Sequence, residues 1–203
     1  MRRLLNINKV RPKRSLGQNF ITDNNFLLKM NGHIESSKRN IIIEIGPGKG
    51  ALTEYLSKKN FKKLFLIEKD NKLATQLKLK YEKIKNIFII NDDALTFDYN
   101  IFKDKKEKVI IYGNLPFNIS TILLTKWISD NEWPSFFNKM VLMFQREVAD
   151  RILASHNNKK YGRLSVLVQS RCNVKKILDA PASIFSPKPK VDGVVIQLKP
   201  IDK

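Results

Sequence analysis

Short, nearly continuous apolar runs alternate with stretches of helical periodicity along this chain, and that alternation limits its fold more than any other feature. The runs are residues 41–45, 64–68, 87–90, 109–113 and 139–144. Between them, helices are expected over residues 24–34, 51–58, 71–83, 120–130 and 146–155. Asp23 is placed to cap the first of these, and Leu52, Tyr55 and Leu56 fall on one face of the second. Segments 164–171 and 193–198 close the set. Strands that are apolar on both sides need cover on both sides, so the pattern predicts an α/β protein with a mostly parallel sheet and helices on both faces. The polar stretch 100–108 reads as a surface loop. No internal repeat and no low-complexity linker interrupts the chain. Its 203 residues, 42% of them hydrophobic, suffice for a single domain with a sizeable core.

The fourth apolar run ends in Asn114-Leu115-Pro116-Phe117. A strand ending in Asn-x-Pro-aromatic suits methylation of an exocyclic amine on a nucleobase. Such an amine is a poor nucleophile, because its lone pair is delocalised into the ring. The Asn114 side-chain oxygen and the Leu115 carbonyl can accept its two hydrogens, which turns the lone pair toward an incoming methyl group. Pro116 has a fixed φ and no N–H, so it can hold that carbonyl in place. Phe117 offers a ring for the base to stack on, worth about 1–3 kcal/mol per base. Asn and Pro are also common turn residues, and an ordinary strand-to-helix turn is the plainer reading of the same four positions.

Ile45-Gly46-Pro47-Gly48-Lys49-Gly50 lies between the first strand and the following helix. Glycines there let backbone approach a ligand, and the helix N-terminus adds a positive dipole. Glu68 ends the second run, at the spacing where a carboxylate accepts both hydroxyls of a ribose. Both features also suit a dinucleotide. However, the glycines fall as G-x-G-x-G rather than G-x-G-x-x-G, and Pro47 lacks the N–H that a pyrophosphate wants. Asn91-Asp92-Asp93-Ala94 follows the third run. Asp93 is assigned to an adenine amino group, and Asp92 to the surface turn. The glycine loop and the two strand-end acids together outline a site for S-adenosylmethionine. Methyl transfer from a sulfonium disperses charge and depends mainly on orientation; it needs no covalent nucleophile and no metal.

Lys and Arg number 38 against 19 Asp and Glu, a formal charge of +19. This suits a polyanionic partner, although a general Lys-rich bias contributes. More pointed is the N-terminal set Arg2, Arg3, Lys9, Arg11, Lys13 and Arg14, which no acid interrupts. Arg11, Lys13 and Arg14 are assigned to RNA contact within a basic arm over residues 1–22. The single cysteine, Cys172, excludes an intrachain disulfide and fits a reducing, cytoplasmic setting. One Cys and the isolated His33 and His156 give no metal constellation. No apolar run reaches membrane-spanning length. The arm lacks an apolar signal core, and because site-like residues begin within it, it is expected to be retained.

Five blocks carry a resemblance to a known family. They are Arg14-Ser15-Leu16-Gly17-Gln18-Asn19-Phe20, Glu44-Ile45-Gly46-Pro47-Gly48, Gly113-Asn114-Leu115-Pro116-Phe117-Asn118-Ile119-Ser120, Tyr161-Gly162-Arg163-Leu164-Ser165-Val166 and Phe185-Ser186-Pro187-Lys188-Pro189-Lys190-Val191-Asp192. Together and in this order, from about Arg11 to Leu198, the chain resembles the small-subunit rRNA adenine N6,N6-dimethyltransferases. The resemblance implies a class I S-adenosylmethionine-dependent methyltransferase fold, with a seven-stranded sheet whose last strand is antiparallel. It also implies dimethylation of two adjacent adenines near the 3′ end of small-subunit rRNA, on an assembling small-subunit particle, by a monomer. By that resemblance Asn19 and Ile21 close over the cofactor, Gly46 lies under its methionine portion, and Gly48 belongs to the same loop. Glu68 holds the ribose, Asp93 the adenine, and Asn114 sits at the cofactor's edge and orients the target amine. Phe185 resembles an aromatic that approaches the target base from the other side, although it reads nearly as well as a core contact.

The chain departs from the family in three places. Phe117 stands where Tyr is usual, which keeps the stacking face and loses a hydroxyl. Gly193 stands where Ser is common. Members usually continue past the position of Leu198 into a small helical domain, so that domain is expected to be absent or truncated here. Competing readings remain: a macrolide-resistance-type large-subunit rRNA methyltransferase, a DNA adenine methyltransferase, and a non-catalytic transcription factor of the same fold. Leu16-Gly17 before Gln18, Pro47, Leu115 and the Tyr161 block favour the small-subunit class.

Overall fold

The computed structural model describes residues 12–13, 17–103, 107–129, 133 and 136–201. In chain order the elements are β1 (Phe20–Ile21), α1 (Asn24–Gly32), β2 (Asn40–Ile45), α2 (Ala51–Leu56), β3 (Lys63–Ile67), α3 (Asn71–Tyr81), β4 (Ile87–Ile90) and β5 (Lys108–Gly113). Then come α4 (Phe117–Ile128), β6 (Lys139–Gln145), α5 (Arg146–Leu153), α6 (Arg163–Gln169), β7 (Cys172–Ala180), β8 (Phe185–Ser186) and β9 (Gly193–Pro200). Seven strands form one sheet in the order β4-β3-β2-β5-β6-β9-β7. The pairs from β4 to β6 are parallel, and β9 runs antiparallel between β6 and β7. The last strand in sequence is thus the antiparallel one, as expected.

Strict alternation along the strands divides the core between the two faces. Ile41, Ile43 and Ile45 of β2 join Val109 and Ile111 of β5 under α4, α5 and α6. Ile42, Ile110 and Tyr112 face the other way, onto α1, α2 and α3. Two helices carry side-chain caps, the first of them the expected Asp23. The Phe26 amide donates to Asp23 Oδ1 at 2.7 Å, and Asp70 Oδ1 accepts from Lys72 and Leu73 at the start of α3.

The structure corrects four expectations. Residues 164–171 are not a strand: Leu164, Ser165 and Val168 lie buried on one face of helix α6 while Val166 is exposed. The strand is β7, which is rich in Asn, Lys and Asp and occupies a sheet edge, so it shows no apolar run. Helix α4 begins at Phe117 rather than Ser120, because Pro116 already sits at its N-cap and its carbonyl accepts the Ile119 and Ser120 amides. The stretch read as a loop contains a 3-10 turn over Tyr99–Phe102 that buries Phe102. Finally, β1 and β8 form a separate two-stranded sheet, absent from the expected set of strands, that ties the end of the arm to the segment around Phe185.

Candidate active site

The order of the sheet reverses beside β2: β3 and β4 lie to one side, β5 and β6 to the other. Loops leaving adjacent parallel strands diverge at such a switch point and open a crevice at the strands' carboxyl ends. A cavity of about 870 Å3 occupies that crevice. Its walls are the loops after β2, β3, β4 and β5, closed from above by residues of the arm. Asn19, Ile21, Gly46, Gly48, Glu68 and Asp93 all line it, as do Asn114, Leu115, Pro116 and Phe117.

Close approach of backbone shapes the site at two glycines. A Cβ on Gly113 would stand 2.7 Å from the Ile45 carbonyl, so glycine lets the ends of β2 and β5 converge. Gly48 adopts φ +59, and a Cβ there would meet the Phe20 ring at 2.8 Å. Phe20 thus lies directly on the glycine loop, with Lys49 Nζ 5.0 Å from its ring centroid.

Asn114 Nδ2 donates to the Asn19 carbonyl at 3.0 Å. This bond fixes the amide's sense and leaves Oδ1 as the atom available to another donor. The Leu115 side chain is buried and anchors the loop in the core, while Phe117 is half-buried at the start of α4.

Glu68 is buried, and each of its oxygens accepts one backbone N–H: Oε2 from Gly48 at 2.9 Å, Oε1 from Asp70 at 2.8 Å. Each oxygen keeps a further lone pair. Burial pushes its pKa up, and those two N–H groups offset the effect only in part. Asp93 behaves oppositely. Lys69 at 2.7 Å and the Leu95 amide hold its carboxyl below the ordinary range. Asp92 accepts the Asp93 amide at 2.7 Å and serves the turn.

The remaining predicted residues lie elsewhere. Phe185 is buried in the α1–α3 side of the core and not in the cavity wall, where its neighbour Ser186 stands. The β1–β8 pairing sets this, by placing Phe185 opposite Ile21. Lys13 is half-exposed but engages Asp70 at 2.8 Å. Arg11 and Arg14 lie outside the described residues.

Glu44 is the main residue that the sequence reading passed over. It lines the cavity floor on the α1–α3 face, fully buried, and accepts from Thr53 Oγ1 at 2.7 Å. Burial pushes its pKa up to about 8. A lone carboxyl inside Ile-Ile-Ile-Glu-Ile, in a strand covered on both faces, was the available signal. Asp70, the cap of α3, was also passed over, and nothing in the sequence marked its pairing with Lys13. Among the described residues, no helix is long and apolar enough to cross a membrane, and no three His, Cys, Asp or Glu side chains converge as a metal site would need.

The family model for ribosomal RNA adenine dimethylases matches residues 9–203. The ribosomal RNA small subunit methyltransferase A of Pelagibacter ubique is 46% identical over 94% of this chain, and the match spans 71% of that relative. A dimethyladenosine transferase from Plasmodium falciparum is 32% identical, with a TM-score of 0.78 over 90% of this chain and 63% of that one. The 23S rRNA methyltransferase ErmE has a TM-score of 0.76 over 91% of this chain and 71% of that one, but at 23% identity it shows the shared fold alone. The topology is that of the class I methyltransferases, and the chain belongs to the ribosomal RNA adenine dimethylase family.

Proposed function

We propose that this protein uses S-adenosylmethionine to dimethylate N6 of two adjacent adenines near the 3′ end of small-subunit rRNA. It would act as a monomer in the cytoplasm, on an assembling small-subunit particle, with residues 1–203 supplying the catalytic domain. The observation that carries the reading is the Asn114–Phe117 loop facing the glycine loop across one cavity, with its amide nitrogen already committed to the arm. The residues present fit the cofactor. The cavity volume lies within the range of small-molecule sites. Glu68 is a buried carboxyl with a lone pair to spare on each oxygen for ribose hydroxyls. Asp93 stays ionised to accept from an adenine amine. Gly46 and Gly48 bring bare backbone to the methionine portion, and Asn19 and Ile21 cover it.

When bound, the cofactor supplies an electrophilic methyl group on a sulfonium. The chain's own residues position the acceptor. Phe117 stacks on an adenine that has left its helix stack. Asn114 Oδ1 and the Leu115 carbonyl accept the two amine hydrogens and expose the nitrogen lone pair. After one transfer a single hydrogen remains, so the second transfer proceeds with a rotated, less constrained amine. The methylated nitrogen is cationic and acidic, so its proton passes to water and no general base is needed. Arg11 and Arg14 of the arm contact the RNA backbone.

Undermethylated small-subunit particles incubated with the protein and labelled S-adenosylmethionine, then digested for mass spectrometry, test this directly. N6,N6-dimethyladenosine in small-subunit rRNA is expected. Label found only in large-subunit rRNA, or in neither, overturns the assignment.

A further inference from the structure

Lys13 follows Pro12, which lines the cavity, and reaches Asp70, two residues beyond the cavity-lining Glu68. Its ammonium lies 2.8 Å from Asp70 Oδ2, on a side chain with no solvent exposure, while Lys13 itself is 47% exposed. Burial alone would raise the Asp70 pKa, but Lys13 and the α3 amides outweigh it and hold the carboxyl below its ordinary range. Asp70 is occupied on its other side, where Oδ1 caps α3. Its amide donates to Glu68 Oε1, and Glu68 Oε2 accepts from Gly48. The floor of the cavity is therefore linked, bond by bond, to the carboxylate that Lys13 touches.

Lys13 is equally fixed to the cavity's roof. Its amide donates to Gln18 Oε1 at 2.8 Å, and the Gln18 amide donates back to the Lys13 carbonyl at 3.4 Å. Gln18 and Asn19 line the cavity, and the Asn19 carbonyl holds the amide of Asn114. One side chain thus joins the roof, which orients Asn114, to the floor, which presents Glu68. Besides Asp70, the roof is anchored by the Phe20 ring on Gly48, the Asn114 bond, the two-residue β1–β8 pairing and the Thr22 amide and hydroxyl, which both donate to the Ile184 carbonyl.

Resting on the reading of the cavity as the S-adenosylmethionine site, we infer that Lys13 is a positioning residue that latches the arm over the cofactor through Asp70, and is not an RNA contact. A cation at this position holds the roof shut against the site, so its loss frees the cofactor without altering the RNA surface. Arginine, another cation with a long stem, can span the same gap; alanine cannot.

The test compares Lys13→Ala, Lys13→Arg, Asp70→Asn and the Lys13→Ala/Asp70→Asn double variant by calorimetric titration with S-adenosylhomocysteine. Asparagine keeps the α3 cap while removing the charge. Lys13→Ala and Asp70→Asn should each weaken binding about tenfold, in the range of ordinary coupling between a closing element and a ligand. The double variant should lose no more than either single one, and Lys13→Arg should stay near wild type. RNA affinity and its salt dependence should be unchanged in Lys13→Ala. A loss of about one from the salt slope, with cofactor affinity intact, would make Lys13 a phosphate contact and overturn the latch. If the wild-type protein does not bind S-adenosylhomocysteine, the cofactor reading fails, and amide exchange of cofactor-free protein still decides the latch. Faster exchange at Gln18, Asn19 and Phe20 in Lys13→Ala supports it; unchanged exchange sinks it.

Discussion

Single side chains in this site divide into those that meet the substrate and those that shape what surrounds it. On the proposed function Asn114 belongs to the first group: its Nδ2 is held by Asn19, which would leave Oδ1 to the incoming amine. Asn114→Ala should lower turnover by on the order of 10²-fold, comparable to removing one preorganised hydrogen-bonding group from a transition state. RNA retention in a filter-binding assay should stay within about twofold, because a neutral group in the pocket contributes little to phosphate contacts. Equal losses in both would contradict the assigned role. Glu44 belongs to the second group. Its folded pKa is raised to about 8 from an ordinary 4.5, so the folded protein holds this proton more tightly than the unfolded chain does. The stability that Glu44 contributes is complete below the lower value and is lost as pH rises through the upper one. Glu44→Gln is neutral throughout and lacks that loss. In cofactor-free protein its melting temperature should exceed wild type by a margin that widens by roughly 5 °C between about pH 5 and pH 9. A margin independent of pH would show that Glu44 is ionised in its burial site.

At the scale of elements, the strands flanking the site were legible and the pair next to the sheet's far edge was not. Runs such as Ile41 to Ile45 and Val109 to Gly113 are buried on both faces, so composition alone marks them. β7 is polar, with Asn173, Lys175, Lys176 and Asp179 exposed and a bulge that breaks its alternation, and α6 is a seven-residue helix whose apolar content resembles a short strand. Pairing with β9 and packing under α5 settle both, and these contacts link residues far apart in the chain. The Tyr161-to-Val166 block likewise acquires a physical role only in the folded protein. Ser165 Oγ accepts the Gly162 amide at 3.1 Å and donates to the Arg151 carbonyl at 2.5 Å, which staples α6 to α5. Ser165→Ala would leave these two backbone groups without that partner, at a cost of about 1–3 kcal/mol. A melting temperature lowered by about 2–8 °C, with S-adenosylhomocysteine affinity unchanged, is the expected outcome. Weakened cofactor binding at equal stability would show that the block reaches the site. Gly193 also finds a local reason. A Cβ there would stand 3.1 Å from Met143 Sδ, so a larger residue at this position needs Met143 to yield.

Across the whole molecule, the candidate site lies where the order of the sheet reverses. Residues from five separate stretches, between Asn19 and Phe117, meet in one cavity because parallel strands deliver their loops to one edge. The sequence pointed to ten of the residues that line it: glycines, strand-end acids and an Asn-x-Pro-aromatic turn carry their chemistry openly, and the family resemblance added Asn19 and Ile21. Of the two readings open for Phe185 the core contact is the one observed, set by the β1–β8 pairing, and the ion pair of Lys13 with Asp70 had no signal in the sequence. The charge of +19 fits an RNA partner but locates no contact by itself. The central claim is that the cavity holds S-adenosylmethionine with its reactive end toward Asn114. A crystal structure of the protein with S-adenosylhomocysteine tests it most directly. The account predicts ribose hydroxyls on Glu68, the adenine amine at Asp93 and the thioether sulfur turned toward the Asn114 loop. An empty cavity, or one filled by a dinucleotide in the same crystals, would contradict it.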